Sequence, residues 1–178
     1  QGQGRGVNYN HTVTRAIDQG QSPAPPLQRL VAEKDPLFSH LPPRVPSKPL
    51  TMLLLVNRGC NLRCSFCDLW DKPEELAFDK AVALLDEAVA IGTRTLVITG
   101  GEPFLHPDLF LAVAEAKARG LTVNITTNGT LIDKRWDELM ASGVDSLSFS
   151  LDGMPPTHDQ IRGQKGAWKR TMNGLKRI

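Results

Sequence analysis

No run of apolar residues in this 178-residue sequence approaches the roughly 18 needed to span a bilayer. Neither charge sign dominates: 21 Lys and Arg against 19 Asp and Glu leave a formal net charge of +2, which gives no footing for nucleic acid and argues against an acidic disordered chain. Aromatic residues are scarce at 6%, but with 40% hydrophobic and 22% charged residues the composition is that of a globular domain. The opening QGQGRGVNYN has no charged segment followed by an apolar one, so it does not read as a secretory signal, and a cytoplasmic location is expected. The first residue is Gln1 rather than Met, which fits a numbering that starts inside a longer reading frame.

Cysteine is the most informative scarcity. There are three, Cys60, Cys64 and Cys67, within one short loop, and an odd, tightly spaced set is a poor disulfide framework for a chain of this length. A metal or cluster is the better reading.

Proline divides the chain. Eight of the 13 prolines fall at or before Pro49, so residues 1–50 read as an extended arm with one helical turn near 27–33. From Thr51 apolar runs alternate with amphipathic stretches. Strands are expected at 51–56, 95–99, 121–126 and 145–151. The first, TMLLLV, reads as buried on both faces. Helices are expected at 79–91 with Val82, Leu85 and Val89 inward, at 108–119, at 133–142, and from about Ala167 with Trp168, Met172 and Leu175 on one stripe. Gly92, Gly120 and Gly143 stand where helix stops are wanted. Four strand-helix units in alternation predict an α/β protein with a parallel sheet, either a barrel or an open doubly wound sheet. Two tripeptides, Asn10-His11-Thr12 and Asn128-Gly129-Thr130, match a glycosylation acceptor, and without a secretory signal both read as chance.

In such a sheet, ligands bind at the carboxyl ends of the strands. The unusual residues gather there: 58–70 after the first strand, Gly100 to Pro103 after the second, 128–130 after the third, and 152–162 after the fourth. Three thiolates on one loop suit three corners of a cuboidal iron–sulfur cluster and leave a fourth open. Structural zinc would need a fourth protein ligand, and His11, His40, His106 and His158 all lie far from the trio in sequence. The polar loop residues Asn61, Arg63, Ser65 and Asp68 argue against three core cysteines. In Gly100-Gly101-Glu102-Pro103 the glycines permit close approach of a ligand to backbone, Pro103 stiffens the exit, and Glu102 is open to an acid–base role. His106 and His158 read as loop hydrogen-bonders, and Trp70, Trp136 and Trp168 as packing residues.

The stretch CNLRCSFC resembles the Cys-x3-Cys-x-aromatic-Cys signature of the radical S-adenosylmethionine (radical SAM) enzymes. The resemblance implies a [4Fe-4S] cluster on Cys60, Cys64 and Cys67, with its fourth iron chelated by S-adenosylmethionine (SAM) and Phe66 lying against the adenine. It implies reductive cleavage of SAM to a 5′-deoxyadenosyl radical that takes a hydrogen from substrate. Gly100, Gly101, Glu102 and Pro103 resemble the family's GGE motif, whose backbone receives the SAM ammonium. Ser150 resembles a strand-four contact to SAM, Arg162 an arginine paired with the SAM carboxylate, and Asn128 a polar contact to the cofactor. ITTNGT and SFSLDG resemble the subgroup that matures cofactors or modifies peptides, including SPASM-type members, and also the molybdenum-cofactor GTP cyclases. A small-molecule or peptide substrate, and an electron donor such as flavodoxin or ferredoxin, are the implied partners.

The family's core is a six-unit partial (β/α) TIM-like barrel. Only four units can be counted over 51–178, so the chain reads as the N-terminal part of a longer gene product. A rival from another class is a non-catalytic iron–sulfur or zinc protein. Such a protein needs neither an open iron nor a GGEP turn beside the cysteines.

Overall fold

The computed structural model describes residues 49–72 and 74–178; the proline-rich arm up to residue 48, with the helical turn expected near 27–33, lies outside them, as do Asn10, His11 and His40. Four strands, β1 (Thr51–Asn57), β2 (Thr95–Gly100), β3 (Thr122–Thr127) and β4 (Ser146–Phe149), form one parallel sheet in the order β1-β2-β3-β4. They alternate with helices α1 (Phe78–Ala90), α2 (Leu109–Ala118) and α3 (Trp136–Ala141); α4 (Pro155–Ile161) and α5 (Ala167–Arg177) follow β4.

The order decides between the two predicted architectures. A doubly wound sheet reverses direction at a switch point, whereas four strands in sequence order with right-handed crossovers put their connecting helices on one side. That is a segment of a barrel wall. The helix-facing residues Leu54, Val56, Leu96, Ile98, Val123 and Ile125 are buried against Leu85, Leu109, Val113 and their neighbours. Each such side chain contributes about 1.5–3 kcal/mol on burial.

The other face explains the first departure from expectation. Leu53 and Leu55 of β1 are 65% and 52% exposed, so TMLLLV is buried on one face only. With the connecting helices on one side, no layer of the described residues covers the opposite side. Across that side the sheet runs from Leu53 and Leu55 through Val97 and Thr99 to Asn124, Thr126, Ser146 and Ser148, from apolar to polar.

Helix faces also differ from the apolar-spacing reading. In α1 the buried residues are Ala81, Leu85 and Ala88, while Val89 is exposed. The small Ala81 and Ala88 face inward with Leu85, and the bulkier Val89 faces out. In α5 the buried stripe is Ala167, Thr171 and Gly174, not Trp168, Met172 and Leu175. Thr171 Oγ1 donates to Asn128 O at 2.7 Å, and Gly174 lets the backbone of Gly129 come in. A hydrogen bond and a close backbone contact orient this helix against its apolar stripe.

The third unit contains a 3-10 turn, Ile132–Arg135, before the short α3, in place of one helix over 133–142. The loop expected at 152–162 contains α4, opened by Pro155 at the first helical position. Gly92, Gly120 and Gly143 close α1, α2 and α3 with positive φ, as their spacing predicts. Among the described residues no helix is long and apolar enough to cross a membrane.

Candidate functional site

The loop after β1 carries the cysteines, and three other loops hold it. At its start, Gly101 N donates to Asn57 O and Glu102 N to Gly59 O, both at 2.9 Å. This contact accounts for the paired glycines. A Cβ on Gly101 would lie 2.2 Å from Gly59 O, and one on Gly100 2.3 Å from Asn57 O. The close partner is therefore the backbone of the cysteine loop itself, where the sequence suggested a ligand. In its middle, Asn61 Nδ2 donates to Thr130 Oγ1 at 2.8 Å and Asn61 Oδ1 accepts from Asn128 Nδ2 at 2.9 Å. Farther along, Arg63 N donates to Arg162 O at 3.2 Å and Ser65 N to Ile161 O at 2.9 Å. A Cβ on Gly163 would stand 2.2 Å from Arg63 O, so this approach too requires glycine.

The three thiols are free. Cys64 is buried, and Cys60 and Cys67 are half-buried. They share a cavity of about 200 Å³ with Phe66, Gly100, Gly101, Asn128, Ser150 and Arg162, at the carboxyl ends of the parallel strands. Leu62, Trp70, Thr99, Thr126 and Thr127 complete the lining. Two sulfurs have N–H donors: Leu62 N (3.4 Å) and Asn128 Nδ2 (3.8 Å) face Cys60, and Arg162 Nη1 (3.6 Å) faces Cys64. Burial raises the Cys60 pKa, and the Leu62 N–H opposes it. Among the described residues no three His, Cys, Asp or Glu side chains are arranged to hold one metal ion. A mononuclear zinc needs a common point; thiolates on a four-iron cluster bind separate irons and do not. Three free thiols on one cavity are the donor set for three irons of such a cluster, with the fourth left open.

Two predicted residues stand away from the cavity wall. Pro103 is buried at the start of a 3-10 turn, Pro103–Leu105. Glu102 is fully buried and faces inward, its carboxylate accepting from Thr127 Oγ1 (2.7 Å), Asn128 N (2.8 Å) and Phe104 N (3.1 Å). Burial pushes its pKa up, and these three donors and the Arg162 charge oppose the shift. With every bond committed to neighbouring loops, Glu102 ties the β2 and β3 exits together and does not reach the cavity as an acid or base.

Asn128 is 6% exposed, with its side chain engaged across to Asn61, so the NGT tripeptide offers no accessible glycosylation acceptor. His106 and His158 behave as the sequence suggests. His106 Nε2 bonds Leu76 O at 3.0 Å, and His158 Nδ1 accepts from Asp152 N at 3.3 Å. Trp70 donates to Cys67 O at 3.0 Å and packs under Arg63. Sequence reasoning passed over Asn57, whose Nδ2 donates to Glu102 O at 2.8 Å, and pointed to Asp152 only as a member of the fourth loop, where it pairs with Arg162. Residue identity gives neither partner; the crossing of two loops shows the first.

The model of the Radical SAM superfamily matches residues 54–178. The chain is 41% identical over 123 residues to the AdoMet-dependent heme synthase of Methanosarcina barkeri, covering 66% of this chain and 35% of that protein. It is 37% identical over 130 residues to the PqqA peptide cyclase of Ruegeria pomeroyi, covering 70% of this chain and 35% of that one. The solved structure of SuiB from Streptococcus suis superposes with a TM-score of 0.62 at 25% identity, covering 74% of this chain and 30% of that one. The chain thus spans about a third of the length of the curated relatives it matches.

Proposed function

The chain belongs to the radical SAM superfamily, and from that premise we propose that Cys60, Cys64 and Cys67 hold a [4Fe-4S] cluster whose open iron receives SAM. The observation that carries this reading is the convergence of three free thiols, two of them facing N–H donors, on one cavity at the carboxyl rim of a parallel sheet. When bound, the reduced cluster supplies one electron to SAM, and the pair supplies a hydrogen-abstracting radical.

The chain's own part is binding, orientation and exclusion of water. Arg162, its Nε committed to Asp152, offers a planar cationic edge to the SAM carboxylate. Gly100 and Gly101 present backbone acceptors for the ammonium, which only donates. Ser150 and Asn128 are further polar contacts, and Phe66, 68% exposed, is the ring for the adenine. Glu102 acts from behind, by tying the β2 and β3 exits together, and Pro103 starts the buried 3-10 turn beside it.

For the whole protein, relatives that make heme or cyclise a peptide support a role in cofactor biosynthesis or peptide modification, on a small-molecule or peptide substrate. The electron comes from a donor such as flavodoxin or ferredoxin, and the core takes in residues 51–178. The test is anaerobic reconstitution with iron and sulfide, followed by dithionite and SAM. Brown cluster absorption and release of 5′-deoxyadenosine are expected, and Cys64→Ala should abolish both. Survival of either signal in that variant contradicts the assignment.

A further inference from the structure

The charged groups around Cys64 are arranged in a chain. Arg162 is 8% exposed; its Nε donates to Asp152 Oδ2, and its Nη1 reaches Cys64 Sγ at 3.6 Å. Asp152 is positioned in turn by His158, whose Nδ1 accepts from the Asp152 N–H at 3.3 Å and lies 4.0 Å from the carboxylate. His158 is fully buried, and burial together with the neighbouring Arg162 charge pushes its pKa down, so this ring is neutral. The pair that reaches Cys64 is therefore one cation and one anion, with the cation on the sulfur side. The other cysteines differ. Cys60 receives only neutral donors, Leu62 N and Asn128 Nδ2, and among the described residues no hydrogen bond ends on the Cys67 sulfur.

The Arg162 side chain is also separable from the loop clamp. The cysteine loop is held here through the backbone, by Arg63 N on Arg162 O and Ser65 N on Ile161 O, with Gly163 giving the close approach. The guanidinium proposed as the partner of the SAM carboxylate thus also faces the Cys64 sulfur, through Nη1.

On the reading of Cys64 as a cluster ligand, we propose that Arg162, positioned by Asp152, sets the reduction potential of the cluster through its N–H···S bond to Cys64. Reduction adds one negative charge to the cluster. A buried cation and an N–H donor at a ligating sulfur stabilise that added charge and raise the potential. Asp152 acts in two opposed ways: it fixes the guanidinium in place, and its own charge partly offsets it. The two residues in contact therefore have opposite signs of effect.

The experiment uses the full chain, reconstituted anaerobically without SAM, with iron and sulfide content measured first and the potential then read by EPR-monitored redox titration. Arg162→Gln removes the cation. It should lower the reduced-to-oxidised ratio at the wild-type midpoint about tenfold, a shift of about 59 mV for a one-electron couple. Asp152→Asn keeps an oxygen acceptor for Arg162 Nε and removes the anion. It should move the ratio toward reduced. If Arg162→Gln takes up no iron, Arg162→Lys, which keeps the cation but loses the planar fork, should show a smaller downward shift. Opposite shifts at normal iron content support the inference, because a purely structural role would move stability and loading but not the potential in two directions. Unmoved potentials, or shifts of the same sign, overturn it. A wild-type chain that takes up no iron overturns the cluster assignment itself, a different result from a loaded chain whose potential ignores both residues.

Discussion

Replacing Gly101 by Ala tests the claim that the glycine pair exists for the cysteine loop. The added Cβ would stand 2.2 Å from Gly59 O and 2.3 Å from Arg58 O, both backbone atoms that no side-chain rotation can move. To restore ordinary contact near 3.4 Å the two strand exits must separate by about 1 Å. That separation breaks the bonds from Gly101 N to Asn57 O and from Glu102 N to Gly59 O. Two backbone hydrogen bonds at about 1 kcal/mol each, with about 1–3 kcal/mol of overpacking, give a loss of about 3–5 kcal/mol. Urea unfolding of the metal-free chain measures the loss, and iron content after reconstitution measures what it does to the site. Gly120→Ala is the control. Gly120 has φ +76° and nothing within 4 Å of a built Cβ, so it should cost only about 1 kcal/mol of backbone strain and leave iron uptake unchanged. A Gly101→Ala chain as stable as Gly120→Ala, with full iron, would refute the close-contact argument.

Gly174 sits inside α5, where Gly→Ala ordinarily stabilises a helix by about 1 kcal/mol. Here the new Cβ would lie 2.6 Å from Gly129 O, so Gly174→Ala should destabilise instead, and a raised melting temperature would contradict the packing described. Asp159 accepts from Trp168 N at 2.8 Å and Gly166 N at 2.6 Å, and these bonds hold its pKa below the usual carboxylate value. A depressed pKa in the fold contributes stability that is present above the unfolded value and lost as pH falls through the folded one. Asp159→Asn should therefore remove the part of the acid-side stability loss that this carboxylate causes, and chemical unfolding from pH 7 down to about 3 would reveal it. An unchanged slope would show that the α5 entrance does not depend on this charge.

Much of the fold was legible because its signals are local. The glycine helix stops and the apolar strand runs each act within a few residues, so strands expected from 51, 95, 121 and 145 begin at Thr51, Thr95, Thr122 and Ser146. Helix orientation was less legible. Thr171 outranks Trp168 in α5 because its hydroxyl meets the carbonyl of Asn128, a partner 43 positions away. The burial of TMLLLV was misread for a related reason: an apolar run states that a strand can be covered, not which face is.

The cysteine spacing, the GGEP turn after the second strand and the arginine near the fourth loop pointed to four loops from sequence alone, and residues of all four line one cavity. Tertiary structure decided what those groups do to one another. It turned Glu102 into a strut between strand exits, showed the glycines receiving backbone, and set Arg162 between Asp152 and Cys64. The physical reason is that hydrogen bonds and close contacts between loops depend on where four strand ends converge, and residues from 10 to 98 positions apart share no local pattern from which that convergence could be read.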